Sequence, residues 1–172
     1  LLKAAKAAVP ALSGAAAEQK NQALEAMAQA LETQTQEILA ANRLDLEAAQ
    51  GHISPVMLDR LALSAQRIAD MSAGIRQVAA LPDPAWKVLR RIERPNDLVI
   101  EKTAVPMGVV AIIYESRPNV TSDAAALALK SGNVCVLRGG KEAYRSAAAI
   151  VRAMKAGLTA AGLPESLIGL VE

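Results

Sequence analysis

The chain has 172 residues, of which 52% are hydrophobic and only 2% aromatic, so alanine-rich helices and aliphatic strands must build its core. A formal net charge of +2 is too small to indicate binding to nucleic acid or to an anionic membrane. The single cysteine excludes an intrachain disulfide and is typical of a reducing compartment. No apolar run approaches membrane-spanning length, and residues 1–12 lack the apolar core and cleavage site of a signal peptide. We therefore expect a cytoplasmic protein with no membrane or nucleic-acid partner.

Residues 1–84 are predicted to form an N-terminal helical lobe. Between residues 15 and 81, apolar side chains recur three, four or seven positions apart, which places them on one face of a helix. The residues of these stripes are Leu24, Met27, Leu31 and Ile38, followed by Ile68, Met71, Ile75 and Val78.

The boundaries between these helices carry their own sequence signals. Gly51 is expected to end one helix, Ser54 and Pro55 to begin the next, and Ser64 to cap another. His52 follows Gly51 without a second histidine or cysteine nearby. We therefore expect His52 to be a solvated loop residue, and no metal site is predicted in the chain.

Residues 85–105 are predicted to form a β-hairpin. The segments KVLRRIER (87–94) and LVIEKTAV (98–105) are strand-like, and Pro95-Asn96-Asp97 between them is a turn-forming set. Because such a ribbon exposes an unpaired edge, we expect it to contact another subunit and the protein to be a homo-oligomer.

Residues 106–172 are predicted to form the first half of a Rossmann-like parallel sheet in a βαβαβ arrangement, so the fold class is α/β. The strands are expected at 109–114, 134–138 and 167–172; the first two runs lack polar alternation, which is typical of strands covered on both faces. The first helix is expected to begin at Thr121 or Ser122 and to stop at Gly132, and the second to span about 142–161.

Ligands of such sheets bind beyond the carboxyl ends of the strands. Arg138, Gly139, Gly140 and Lys141 follow the second strand there and combine a flexible, side-chain-free stretch with two cations, which favours an anion such as a phosphate. The alternative is a solvated turn whose cations pair with nearby carboxylates. Neither a Walker A loop nor a G-x-G-x-x-G fingerprint is present.

The loop after the first strand faces the same edge of the sheet. Arg117 could grip a carboxylate or phosphate, and Asn119 offers an amide donor to an oxyanion. The alternatives are a surface ion pair for Arg117 and a helix-capping turn for Asn119. Cys135 lies between two valines in a buried strand, so we expect it to be an inert core residue and not a nucleophile.

Four segments resemble the gamma-glutamyl phosphate reductase family (glutamate-5-semialdehyde dehydrogenases) of the aldehyde dehydrogenase superfamily: ANRLDLEAA, MLDRLALSAQRI, GVVAIIYESRPNVT and LKSGNVCVLRGGKEA. The resemblance spans essentially the whole chain. It implies the aldehyde dehydrogenase fold and the NADPH-dependent reduction of L-glutamyl 5-phosphate to glutamate 5-semialdehyde and phosphate, a step of proline biosynthesis. Because family members are more than twice as long, we expect the chain to be the N-terminal part of such an enzyme, without the catalytic domain and inactive by itself.

The resemblance also implies roles for individual residues. Superfamily members commonly carry Lys-Pro-Ser-Glu where this chain has residues 138–141, and the glutamate binds the free ribose hydroxyl of NAD. Lys141 reverses that charge, so NADPH is the expected cofactor, with Arg138 and Lys141 beside its 2′-phosphate. Asn119 would donate to the oxyanion, and Arg117 would bind the phosphate or carboxylate of the substrate.

The catalytic cysteine of the superfamily lies in a later segment and does not correspond to Cys135. Glutamate 5-kinase is a further candidate partner. Two alternatives to the reductase stay open at this stage, namely another aldehyde or acyl-phosphate dehydrogenase of the superfamily and a non-catalytic interaction module.

Overall fold

The computed structural model describes residues 1–172 and contains seven helices and five strands. The helices are α1 (Leu2–Ser13), α2 (Ala17–Thr33), α3 (Thr35–Ala49), α4 (Pro55–Leu61), α5 (Ala65–Ala80), α6 (Pro118–Lys130) and α7 (Tyr144–Ala160). The strands are β1 (Val88–Glu93), β2 (Val99–Thr103), β3 (Val109–Ile113), β4 (Val134–Arg138) and β5 (Ile168–Leu170). None of the helices combines the length and apolar character needed to span a bilayer.

The helical lobe forms as the apolar stripes predict. The stripe residues of α2, α3 and α5 are buried, except Val78, which is half-buried. Ser54 accepts a hydrogen bond from the Met57 N–H and Ser64 from the Arg67 N–H, so both predicted caps are confirmed. The lobe also contains α1, which the spacing argument missed because Pro10 lies inside that helix.

The hairpin is also present and stands apart from the parallel sheet. Strands β1 and β2 pair antiparallel, with Ile92 opposite Ile100. Asp97 adopts a positive φ of 62° in the connecting turn, a conformation that aspartate tolerates better than most residues. Most of the side chains on both strands are exposed, so the ribbon projects from the body of the chain.

The three remaining strands form a parallel sheet in the order β3-β4-β5, which confirms the βαβαβ arrangement. Strand β4 is central, and its first four residues are buried. The expectation that β3 is also covered on both faces is wrong, because Val109, Ala111 and Ile113 are exposed. Strand β3 pairs only with β4 and is therefore an edge strand.

Helix α6 begins earlier than predicted. Its first residue is Pro118, which stands at the position where a missing N–H costs nothing, and Arg117 is the N-cap without a side-chain cap hydrogen bond. Thr121 and Ser122 are buried inside the helix instead of capping it. The stop at Gly132 is confirmed by its φ of +80°.

The segment after β4 also differs from the prediction. A 3-10 turn over Lys141–Ala143 precedes α7, so the α-helix begins at Tyr144 and not at about residue 142. Similarly, β5 is confined to Ile168–Leu170 because a 3-10 turn occupies Glu165–Leu167.

Two long helices approach most closely at Gly157. Helix α2 packs against α7, and a Cβ atom at position 157 would stand only 2.6 Å from the backbone N and Cα of Met27. A backbone atom cannot rotate away as a side chain can, so only glycine permits this distance between the helices.

Replacing Gly157 by alanine should therefore destabilise the protein by about 1–3 kcal/mol through overpacking. Gly74→Ala is the matched control, because Gly74 is also helical but the nearest atom to its added Cβ is 3.9 Å away. There the better helix propensity of alanine should leave stability unchanged or raise it by up to ~1 kcal/mol. Urea unfolding measures both; equal effects would contradict this account.

Candidate functional site

Two loops meet at the carboxyl edge of the parallel sheet. One runs from Tyr114 to Arg117 after β3, and the other from Gly139 to Ala143 after β4. The Tyr114 N–H donates to the carbonyl oxygen of Arg138 at 3.0 Å, which extends the pairing of the two strands into the loops. The residues that the sequence singles out at these two positions therefore lie at one edge, as predicted for parallel neighbours.

The glycine pair lets the two loops touch. A Cβ on Gly139 would stand 3.1 Å from the Tyr114 ring, and one on Gly140 would overlap the Ser116 hydroxyl and lie 3.1 Å from its backbone nitrogen. The side on which a Cβ would project is thus occupied by protein. Both positions therefore require glycine so that the two loops can pack together. Contact of these glycines with a cofactor stays a prediction.

A hydrogen bond fastens the same contact. The Ser116 hydroxyl donates to Oε2 of Glu142 at 2.8 Å. The backbone N–H of Glu142 and the Ser116 hydroxyl both lower the pKa of the Glu142 carboxyl from its usual value. Glu142 is therefore an ionised acceptor at neutral pH that holds the second loop against the first.

The two cations of the second loop have no protein partner. Arg138 and Lys141 are exposed, and neither forms an ion pair or a side-chain hydrogen bond. Pairing with neighbouring carboxylates, the alternative to an anion site, is not observed. Lys141 attracts the neighbouring Glu142 carboxylate without forming an ion pair, so positive charge beyond this central strand stays accessible to an anionic ligand.

Lys141 lines a cavity of about 420 Å³ between this loop and the end of α3. His52, Arg145, Asp45 and Glu142 also line it. Lys141 and His52 thus share one cavity although they are far apart in sequence. His52 is exposed in the turn after α3, as the sequence predicts, but nothing in its local pattern could have indicated Lys141 as a neighbour.

Buried polar groups on α3 hold the start of α7 beside this cavity. The Asp45 carboxylate accepts hydrogen bonds from the Ser146 N–H and hydroxyl, both at 2.7 Å, and pairs with Arg145 at 3.4 Å. The Asn42 amide donates to Ser146 Oγ and to the Leu61 carbonyl. Sequence reasoning missed both residues, although their spacing from Ile38 continues the buried face of α3.

Arg117 and Asn119 line a second cavity, of about 430 Å³, between α4, α5 and the first turns of α6. Both side chains are exposed, and Arg117 forms no ion pair, so the surface ion pair considered for it is not observed. The Asn119 amide lies 3.5 Å from a carboxylate oxygen of Asp123 and does not cap the helix. The structure thus brings Arg117 and Asn119 together, and places Lys141 at a separate cavity.

Cys135 is buried at the centre of the sheet, and only 1% of it is exposed. Burial raises the pKa of its thiol to about 12. The thiolate needed for nucleophilic attack is therefore scarce at neutral pH, and this agrees with a core residue.

Comparison with known proteins places this architecture in a family. The sequence model of the aldehyde dehydrogenase family matches residues 1–172, and the chain belongs to that family. Its sequence is 56% identical over 171 residues to the gamma-glutamyl phosphate reductase of Neisseria gonorrhoeae, covering 99% of this chain and 41% of the relative. The chain thus spans about two fifths of the length of the curated relatives it matches.

Solved structures agree with this assignment. The crystal structure of gamma-glutamyl phosphate reductase from Thermotoga maritima superposes with a TM-score of 0.96 at 40% identity, covering 99% of this chain and 41% of that one. A glyceraldehyde-3-phosphate dehydrogenase from Methanocaldococcus jannaschii, solved with NADP, shares the fold with a TM-score of 0.69 at 16% identity and covers 98% and 34%. The chain therefore has the architecture of part of the aldehyde dehydrogenase fold.

The burial of Cys135 predicts that its thiol resists alkylation in the folded protein. Iodoacetamide at pH 7.5 should leave the peptide containing Cys135 unmodified until denaturant is added, because the high pKa and the closed surroundings both suppress the thiolate. Mass spectrometry of the digested protein measures this. Labelling as fast as that of a free thiol would contradict the core assignment.

Proposed function

We propose that this chain is the cofactor-binding part of an enzyme that reduces L-glutamyl 5-phosphate with NADPH to L-glutamate 5-semialdehyde and phosphate, in proline biosynthesis. The observation that carries the proposal is the 56% identity with a named gamma-glutamyl phosphate reductase over 171 residues. The two uncompensated cations beyond β4 and the charged cavity beside α6 are consistent with a phosphorylated cofactor and a charged substrate.

Arg138 and Lys141 would hold the 2′-phosphate of NADPH, with the Gly139-Gly140 backbone alongside. Two positive charges without protein partners attract a phosphate, whereas a carboxylate at position 141 would repel it. NADPH, when bound, supplies the hydride for the reduction. Because Asp45 fixes the start of α7, the Lys141 ammonium would reach the ligand from a rigid support.

Asn119 would donate its amide N–H to the oxygen that becomes negative when the acyl carbon is attacked. Its only contact, the 3.5 Å approach to Asp123, is too long to hold the amide strongly, so the donor is available. Arg117 is free of protein partners and would bind a carboxylate or phosphate of the substrate. Buried Cys135 is not the nucleophile, so the attacking thiolate would come from outside these 172 residues.

The hairpin would join identical subunits. Leu89, Val99 and Ile100 are about half-exposed on it, and an apolar cavity of about 530 Å³ lies where it meets the body of the chain. Such a surface is typical of a protein interface. Glutamate 5-kinase, which makes the acyl phosphate, stays a candidate partner, and the unpaired Cys135 fits a reducing, cytoplasmic location.

Reversing the charge at position 141 tests the cofactor assignment. In the full-length enzyme, Lys141→Glu should raise the Michaelis constant for NADPH roughly tenfold or more and leave that for NADH nearly unchanged, because only NADPH carries the repelled phosphate. Lys3→Glu, an exposed change on α1, is the charge-matched control and should alter neither. Equal effects on the two cofactors would refute the placement of the 2′-phosphate.

Removing the amide at position 119 tests the oxyanion assignment. Asn119→Ala should lower kcat at saturating substrate by about 10²-fold, since loss of one oxyanion donor typically has that effect. Asn96→Ala in the hairpin turn removes a similar exposed amide away from the site and should not change kcat. If the maximal rate of Asn119→Ala stays near that of the parent enzyme, Asn119 is not the donor.

A further inference from the structure

The cavity between α4, α5 and α6 is lined by charges of both signs. Three arginines and three aspartates face it, namely Arg60, Arg67, Arg117, Asp59, Asp70 and Asp123. A cavity that served only to hold the helices together would be expected to pair these charges with one another. The partners of each side chain therefore decide which of them are free for a ligand.

Three of the six are engaged by the protein. Arg67 donates to the backbone carbonyls of Asp59 and Ala62 and to the Asp59 carboxylate, which fixes the turn between α4 and α5. Asp70 accepts a hydrogen bond from Gln66 at 2.9 Å.

Arg60 stands 4.0 Å from Glu115 on the neighbouring loop. This contact lies at the limit of an ion pair and directs Arg60 toward the β3–α6 loop.

On the α6 wall of the cavity, Arg117 and Asp123 have no counter-charge. Asp70, on the α5 wall, has none either, but the neutral Gln66 amide holds it. Arg117 and Asp123 do not pair with each other, and Asp123 touches only the Asn119 amide at 3.5 Å. Helix α5 leaves room at this point, because Gly74 has no side chain and even a Cβ there would stay 3.9 Å from Asp123 Oδ1. Burial raises the pKa of the Asp123 carboxyl, and the Asn119 hydrogen bond opposes this shift only in part.

We propose that this cavity binds the amino-acid end of the substrate, with Asp123 pairing with the α-ammonium group and Arg117 with the α-carboxylate. The inference rests on the proposed function and adds what that function leaves open, namely how an aminoacyl phosphate is told apart from one without an amino group. A substrate with one positive and one negative group matches two unpaired charges of opposite sign on one wall. Asn119, on the same wall, lies between them in sequence and would face the reacting end.

The experiment uses the full-length enzyme in the direction of aldehyde oxidation, with NADP⁺ and phosphate. L-glutamate 5-semialdehyde is compared with 5-oxopentanoate, which has the same chain and carboxylate but no amino group. Asp123→Asn should raise the KM for the amino aldehyde roughly tenfold, equivalent to about 1.4 kcal/mol, and leave the KM for 5-oxopentanoate unchanged. Glu37→Gln, which neutralises an exposed carboxylate on α3 away from this cavity, is the control and should leave both constants unchanged.

Arg117→Gln tests the other half of the assignment. It should raise the KM for both aldehydes, because both carry the carboxylate, and leave the KM for phosphate unchanged. A rise in the phosphate KM alone would show that Arg117 binds phosphate and would overturn its assignment.

The outcomes separate this inference from the proposed function. If Asp123→Asn weakens both aldehydes equally, or neither, while the parent enzyme oxidises the amino aldehyde, only the inference about Asp123 falls. If the parent enzyme binds NADP⁺ but oxidises L-glutamate 5-semialdehyde no faster than 5-oxopentanoate, the proposed function falls, and this inference with it. Thermal unfolding midpoints and NADP⁺ affinity that match the parent enzyme exclude a folding defect in each variant.

Discussion

The carboxylate of Asp45 joins the helical lobe to the part of the chain that forms the parallel sheet. Helix α7 has no cap of its own, because its N-cap, Ala143, carries no side-chain acceptor. Asp45 supplies the acceptor from α3 by binding the Ser146 N–H, and its negative charge lies at the positive end of the α7 dipole. The position of Lys141, three residues before α7, is therefore set by a helix nearly a hundred residues earlier in the chain.

Segments that are distant in sequence also fix the last turn of α6. The Lys130 ammonium is almost fully buried and donates to Asn21 and to the Ala79 carbonyl, while Lys20 donates to the Lys130 carbonyl and pairs with Asp83. Burial opposes ionisation of Asp83, but the bonds from Lys20 and the Ala85 N–H outweigh it and lower the pKa of its carboxyl. Helix α6 is thus held at its last turn, which leaves its first turn free to present Arg117 and Asn119.

Local sequence patterns predicted the parts of the fold that local physics decides. Apolar stripes located α2 and α5, Ser54 and Ser64 gave two caps, and Gly132 gave the end of α6. Where two local signals competed, the prediction was wrong: Thr121 and Ser122 are good capping residues, but Pro118 suits the first helical position and began the helix.

The candidate site was less predictable because its support is long-range. Lysine is usually a surface residue, yet Lys20 and Lys130 are buried. Asn42 and Asp45 are also buried, because Leu61 and Ser146 supply their hydrogen-bond partners. Similarly, strand β3 consists of apolar residues on both faces, so its sequence could not show which face lies open. A single sequence gives the residue types of the site, but not which of them share a cavity.

The distribution of unpaired charge separates the two cavities by the ligands they can accept. Beside α7, the carboxylates of Asp45 and Glu142 accept hydrogen bonds from the protein and Arg145 pairs with Asp45, so Lys141 is the charged group of this cavity that has neither an ion pair nor a hydrogen bond. Beside α6, Arg117 and Asp123 place one charge of each sign on the same wall without an ion pair, so this wall would suit a zwitterion better than a phosphate. The Ser116–Glu142 bond joins the loop after β3 to the loop after β4, so a shift of either loop would move the other. Under the proposed function, this arrangement would keep the phosphorylated cofactor and the charged substrate at a fixed separation, which a hydride transfer between them requires.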